Sequence, residues 1–261
     1  MSTDSLVQEL TSPTHDLTSL GVPHEAVVAY VTPLVGREIA TSIVESCRIW
    51  ARGALLVRDV AVDREPVLRG HDAVAAHACQ FDALMRLSNL VGSSRLWTQL
   101  ERLLVTTLEA IAVEVALREG RRDLAAFDLE AAARHAQHRN AVCSAWIYAV
   151  AAAAPGFETE RVETGYRHLL LAIQAMHDGA SWKVDRAIQR PSLVVAGTRE
   201  DGELARTLIA GGRLRATYQL ALAEATLARE ELGVATPFTP VIADLERRAR
   251  AACELLPVAR A

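Results

Sequence analysis

The chain has 261 residues, enough for one large domain or two small ones with a sizeable buried core. Hydrophobic residues make up 51% and charged residues 23%, which excludes a disordered or supercharged chain. The net charge of −4 argues against a general nucleic-acid surface, where a basic stripe is expected.

Helical periodicity dominates, and no segment shows the sustained alternation of a strand. A polar N-terminal segment, 1–22, carries a short predicted helix at 3–18 and lacks the basic-then-apolar order of a secretory signal. The next helices are predicted at 24–35, at 38–63 before Pro66, at 71–91 closed by Gly92-Ser93, and at 94–119 closed by Gly120. Asp123 is the expected cap of a sixth helix running to about 136, and 139–153 stops before Pro155-Gly156. A long helix follows at 159–186, then a broken stretch around Pro191, Gly197 and Gly202, then helices at 202–231 and 238–255. Ten or so helices with short connections predict one all-α domain over 23–261. The apolar run "AVCSAWIYAVAAAA" is too short for a bilayer span, and the four cysteines (47, 79, 143 and 253) show no CxxC and no clustered spacing. A chain that does not span a membrane, with reduced thiols and a cytoplasmic location, is the expectation.

Two acidic stretches carry the chemistry. In "AIQAMHDGASWKVDRAIQRPS", His177, Ser181 and Asp185 are spaced i, i+4, i+8, and Asp178 lies nearly two turns before Asp185, so all four are expected on one side of a helix. This is either a solvated helix face or a polar site built on a helix. In "GALLVRDVAVDREPVLRG", Asp59 and Asp63 stand one turn apart after an apolar run, followed by Arg64, Glu65 and Arg69. Two such carboxylates repel unless a cation or a basic group lies between them, and Arg58 or Arg64 could supply the latter.

Together the stretches resemble the class I isoprenoid synthases, the all-α family of trans-prenyl-diphosphate synthases and terpene cyclases. "LLVRDVAVD" looks like the family's first aspartate-rich motif, and "REPVLRG" is similar to the basic loop that follows it in prenyltransferases. "AIQAMHDGASW" resembles the second prenyltransferase motif, and "HDGASWKVD" the metal triad of terpene synthases. Arg139 and Asn140 in "HAQHRNAVCSAW" fall where prenyltransferases carry a Lys-Thr pair that helps to hold diphosphate. The resemblance implies Mg²⁺ held by oxygens of Asp59, Asp63, Asp178, Ser181 and Asp185, with His177, Asp178 and Arg139 as catalytic groups. It implies a helical bundle around a central cavity, with Arg69, Arg190, Trp146, Tyr148, Phe81 and Tyr218 as the substrate contacts.

The metal would act on the leaving oxygens of an isoprenoid diphosphate as a Lewis acid. Aromatic faces, with Trp50, Tyr166 and Trp182 as further candidates, would stabilise cationic carbon by roughly 0.5–2 kcal/mol each. Aromatic residues total only 5%, which leans away from an elaborate cyclase.

The motifs also depart from the family. His177 stands where the family has Asn or Asp and is a poor Mg²⁺ ligand, Arg58 or Val60 replaces a further aspartate, and Asp185 is one methylene shorter than the usual Glu. The expected activity is therefore an atypical terpene synthase or prenyltransferase with eroded metal motifs, with a homodimer as the candidate assembly, in which His177 could also serve as an acid or base. The alternative is a non-catalytic or metal-independent protein of the same fold that binds an isoprenoid or a partner enzyme. His135 and His138 are i, i+3 with no third ligand nearby, and "GTREDG" follows no strand, so neither reads as a site.

Overall fold

The computed structural model describes residues 22–58, 70–92, 94–123, 128–187, 192–195 and 212–256, with the backbone alone for 57, 70–76 and 184–187. Among the described residues there are nine α-helices and one 3₁₀ turn, and no strand, so the all-α expectation holds. The helices are α1 (His24–Val35), α2 (Arg37–Arg58), α3 (Gly70–Val91), α4 (Ser94–Arg118), α5 (Leu129–Arg139), α6 (Ala145–Ala153), α7 (Thr159–Ala187), α8 (Arg213–Leu232) and α9 (Thr239–Leu255). The 3₁₀ turn, Ala141–Ser144, precedes α6.

Local chemistry sets these boundaries. Gly36, at φ 84°, separates α1 from α2, and its N–H donates to Thr32 O at 2.9 Å. The sixth predicted helix begins later than expected. Asp128, not Asp123, supplies the cap, its Oδ1 accepting the Ala131 N–H at 2.7 Å. The segment predicted as one helix over 139–153 is split, because Asn140 opens a 3₁₀ turn before α6 starts. The predicted helix at 3–18, the tail of the 38–63 helix and the start of the 202–231 helix lie outside the described residues. No described helix is long and apolar enough to cross a membrane.

The chain divides into two compact units, Met1–Ile111 with Arg139–Glu163, and Ala112–His138 with Thr164–Ala261. In the first, α2 packs on α1, α3 and α6, burying Val27, Val31, Ile43, Trp50, Leu87 and Ile147. Trp146 meets Tyr30 edge to face, with ring centroids 6.1 Å apart. In the second, α8 and α9 form a hairpin, and Ala221, Ala225 and Ala228 are fully buried along one side of α8.

The packing of α7 on α8 is unusually close. A Cβ on Gly165 would come within 2.8 Å of Glu231 Cβ and Leu232 Cγ, and one on Gly179 within 2.5 Å of Tyr218 Cζ. The two glycines are four turns apart and therefore share a face. Between these levels His168 Nδ1 lies 2.6 Å from Glu224 Oε2, which ties the two helices by a polar contact as well.

Candidate functional site: the polar stretch of α7

α7 buries Leu169, Leu170, Ala172, Ala175 and Met176, and its polar residues fall around that stripe. Neighbouring residues on a helix are about 100° apart, so His177 and Asp178 cannot face the same way. His177 has a side chain 55% exposed, whereas Asp178 is 2% exposed. The one-sided arrangement expected for the four residues is thus divided: His177 and Ser181 lie together, and Asp178 turns inward.

Ser181 Oγ is 3.3 Å from His177 Nδ1, and Asp178 Oδ1 is 3.6 Å from the same nitrogen. A serine–histidine–carboxylate relay needs the two partners on opposite ring nitrogens, so this is not one.

The Asp178 carboxylate is already engaged at both oxygens. Gln174 Nε2, one turn earlier, donates to Oδ1, and the Leu193 N–H donates to Oδ2 at 2.8 Å. The carbonyl of Leu193 in turn accepts Arg213 Nε at 3.1 Å. Burial holds the Arg213 pKa below its ordinary value, opposed by the charge of Asp128. Beside this polar knot, Trp182, Val194, Val195 and Leu214 form an apolar cluster, with Tyr218 and Leu256 packed against it.

Mg²⁺ takes hard oxygen ligands in near-octahedral geometry and keeps several waters. Asp178 is poorly disposed for that: it is 2% exposed, and each oxygen already accepts an N–H, which leaves one lone pair apiece and little room for a hydrated ion. Neither His177 nor a lone hydroxyl at Ser181 repairs the set. Among the described residues no group of three His, Cys, Asp or Glu is placed to hold a metal. Asp185 lies in α7 with only its backbone described, and Asp59, Asp63, Arg69 and Arg190 lie outside the described residues. The described part of the α7 motif therefore does not fit a hydrated Mg²⁺.

The remaining candidates are dispersed. Arg139 and Asn140 are both buried at the end of α5, and the Arg139 charge acts against the burial that pushes the Cys143 thiol up to about 12. Trp146 is buried in α6. Tyr148 is half-buried there, and Arg102 stacks over its ring at 5.4 Å, donating to its hydroxyl and, at 3.4 Å, to Glu163 Oε1. Burial first, then the Glu163 hydrogen bond and charge, raise the Tyr148 pKa. Phe81 is 67% exposed on α3. Tyr218, from α8, packs its ring against α7 at Gly179.

Sequence reasoning missed Gln174 and Leu193 as the partners of Asp178. Gln174 was findable, being i−4 to Asp178. It also missed Glu114, whose Oε1 is 3.2 Å from His135 Nε2 with both side chains buried.

No family model matches the sequence, and no curated protein matches it significantly. Solved structures do match in shape. A decaprenyl diphosphate synthase from Rhodobacter capsulatus is 17% identical with a TM-score of 0.67, over 97% of this chain and 94% of that one. A geranylgeranyl pyrophosphate synthetase from the archaeon Geoglobus acetivorans is 16% identical with a TM-score of 0.67, over 97% of each chain. Another, from Pyrococcus horikoshii, is 14% identical with a TM-score of 0.65, over 97% and 94%. At such identities the likeness establishes the fold: this chain has the all-α fold of the trans-prenyl-diphosphate synthases.

Proposed function

We propose that this chain, built on the prenyl-diphosphate synthase fold, binds an isoprenoid or its diphosphate without the paired metal centres of a chain-elongating enzyme. The isoprenoid half of the reading is supported by the fold and its solved neighbours. The metal-independent half is carried by one observation, the buried Asp178 carboxylate with both oxygens taken up by the chain itself.

In this reading the diphosphate charge falls to arginine. Arg139 is the described candidate, with Arg69 and Arg190 beside it in the proposal, and Trp146, Tyr148, Phe81 and Tyr218 remain proposed contacts of the hydrocarbon. A guanidinium fork suits paired phosphate oxygens and stays charged at any working pH. Asp59 and Asp63 are the proposed remnant of the first metal motif. His177, exposed and next to a hydroxyl, takes no assigned proton-transfer role.

The test is direct binding of prenyl diphosphates of ten to twenty carbons by calorimetry, with Mg²⁺ and with a chelator, alongside an assay for released diphosphate. The expected result is binding that survives the chelator and no diphosphate release. Mg²⁺-dependent release would overturn this reading in favour of an atypical prenyltransferase or terpene synthase working through Asp59 and Asp63. No binding under either condition would remove the isoprenoid altogether.

A further inference from the structure

We propose that residues 192–195 form a strap that the chain ties across its own α7, with Asp178 and Arg213 as the two clasps. The position that family resemblance makes a metal ligand would then be a positioning residue whose ligand is a peptide group of the same chain. The strap stands independently of any isoprenoid. Only its consequence, that it keeps a cation-bound diphosphate off α7, rests on the reading above.

Leu193 is fully buried and lies in a turn outside the described helices, so its N–H and C=O need partners from elsewhere. Side chains supply both. Asp178, from α7, accepts the N–H at 2.8 Å, and Arg213, at the start of α8, donates to the C=O at 3.1 Å. The charges match the peptide dipole at each end, the anion on the N–H and the cation on the carbonyl, which makes both bonds charge-assisted.

Val194 and Val195, also fully buried, then close the apolar cluster on Trp182 and Leu214. Ser192 Oγ accepts the Val195 N–H at 3.5 Å, a weak bond that helps to turn the segment. Four consecutive residues thus contribute two polar anchors and two apolar ones. Removing Asp178 leaves a buried N–H without an acceptor, and the segment can regain one only by reaching water.

Hydrogen–deuterium exchange on the full-length protein reads this at the amides of 193–195. With Asp178→Ala, exchange of the Leu193 amide is expected to rise roughly ten- to a hundred-fold, the scale of one lost charge-assisted bond, while amides around Ala221–Ala228 in α8 keep wild-type protection. Arg213→Ala gives a smaller rise at the same amides. Should Asp178→Ala not fold, Asp178→Asn, which keeps one acceptor oxygen for two donors, gives an intermediate rise.

Millimolar Mg²⁺, alone or with inorganic pyrophosphate, leaves the wild-type amides unchanged. Wild-type exchange rates at Leu193 in folded Asp178→Ala, or acceleration of the wild-type Leu193 amide by Mg²⁺, would overturn the proposal. No prenyl ligand enters this experiment, so its outcome and that of the binding test are separable.

Discussion

Replacing Gly179 by alanine tests the close contact on which the α7–α8 packing depends. Alanine is the better helix residue by about 1 kcal/mol, so on propensity alone the variant would be more stable. The added methyl would sit 2.5 Å from Tyr218 Cζ, 2.6 Å from Cε1 and 2.8 Å from the hydroxyl oxygen. Those atoms belong to a rigid ring that is itself packed on the Trp182 cluster, so either the ring or the helix must move. Overpacking of this kind costs about 1–3 kcal/mol.

Set against the propensity gain of about 1 kcal/mol, and with the half-buried Tyr218 able to yield towards solvent, the expected net loss is up to about 2 kcal/mol. That corresponds to a fall in Tm of up to roughly 8 °C for a chain of this size. A double-mutant cycle isolates the cause: in a Tyr218→Ala background the same Gly179→Ala change should stabilise, by about 1 kcal/mol, since only the propensity gain remains. The readout is urea unfolding followed by circular dichroism. If Gly179→Ala stabilises the otherwise wild-type chain, or if the cycle shows no coupling, the ring does not lie where the packing requires it.

Gly165→Ala should cost more, about 2–3 kcal/mol, because the atoms it meets, Glu231 Cβ and Leu232 Cγ, sit close to the backbone and cannot swing aside; an unchanged urea midpoint would contradict this. Glu114→Ala removes one buried hydrogen-bond partner of His135 and should destabilise by about 1–3 kcal/mol, whereas Glu114→Gln, which keeps an acceptor, should lose less; equal losses would mean that the contact is not the source. A thiol reagent near pH 8 should label Cys79 and Cys253 in the native protein and reach Cys47 and Cys143 only after unfolding, since the latter two are buried and their thiols are pushed up; four fast thiols would refute that burial. Burial raises Cys143 from 9.0 to about 12, so the neutral thiol is the folded form's preference. Its contribution is complete below pH 9 and is lost as pH rises towards about 12, and Cys143→Ala should flatten the alkaline fall in urea midpoint; parallel curves for the two proteins would exclude it.

The helices were legible because their ends carry local signals. Gly36, Gly92, Gly120 and Pro155 stop helices near where the sequence says, and α7 runs from Thr159 to Ala187 against an expected 159–186. Errors arose where two local signals competed. Asp123 and Asp128 are both plausible caps, and Asp128 is the one whose carboxylate accepts the Ala131 N–H of α5. The site was legible as a place and not as an arrangement. That α7 carries an unusual polar stretch follows from composition. That Asp178 turns inward while His177 turns out depends on where the apolar stripe of Leu169, Leu170 and Met176 finds its partners. Leu193, fifteen residues further on and outside any periodic pattern, gives no sequence signal that it will donate to Asp178. A bond from a backbone group leaves no mark on residue type.

The glycine and the aspartate of the α7 stretch bear on one another. Gly179 admits the Tyr218 ring directly onto the helix, and Asp178, the preceding residue, is closed over by Leu193. A hydrated Mg²⁺ at this level would need room for several waters as well as open carboxylate lone pairs. The ring occupies one flank and the peptide of residue 193 takes the other. Restoring an aspartate at position 177 would not by itself restore a site, because its carboxylate would start from the exposed side, about 100° around the helix from Asp178. In the proposed metal-independent reading, packing at Asp178 counts as much as ligand identity.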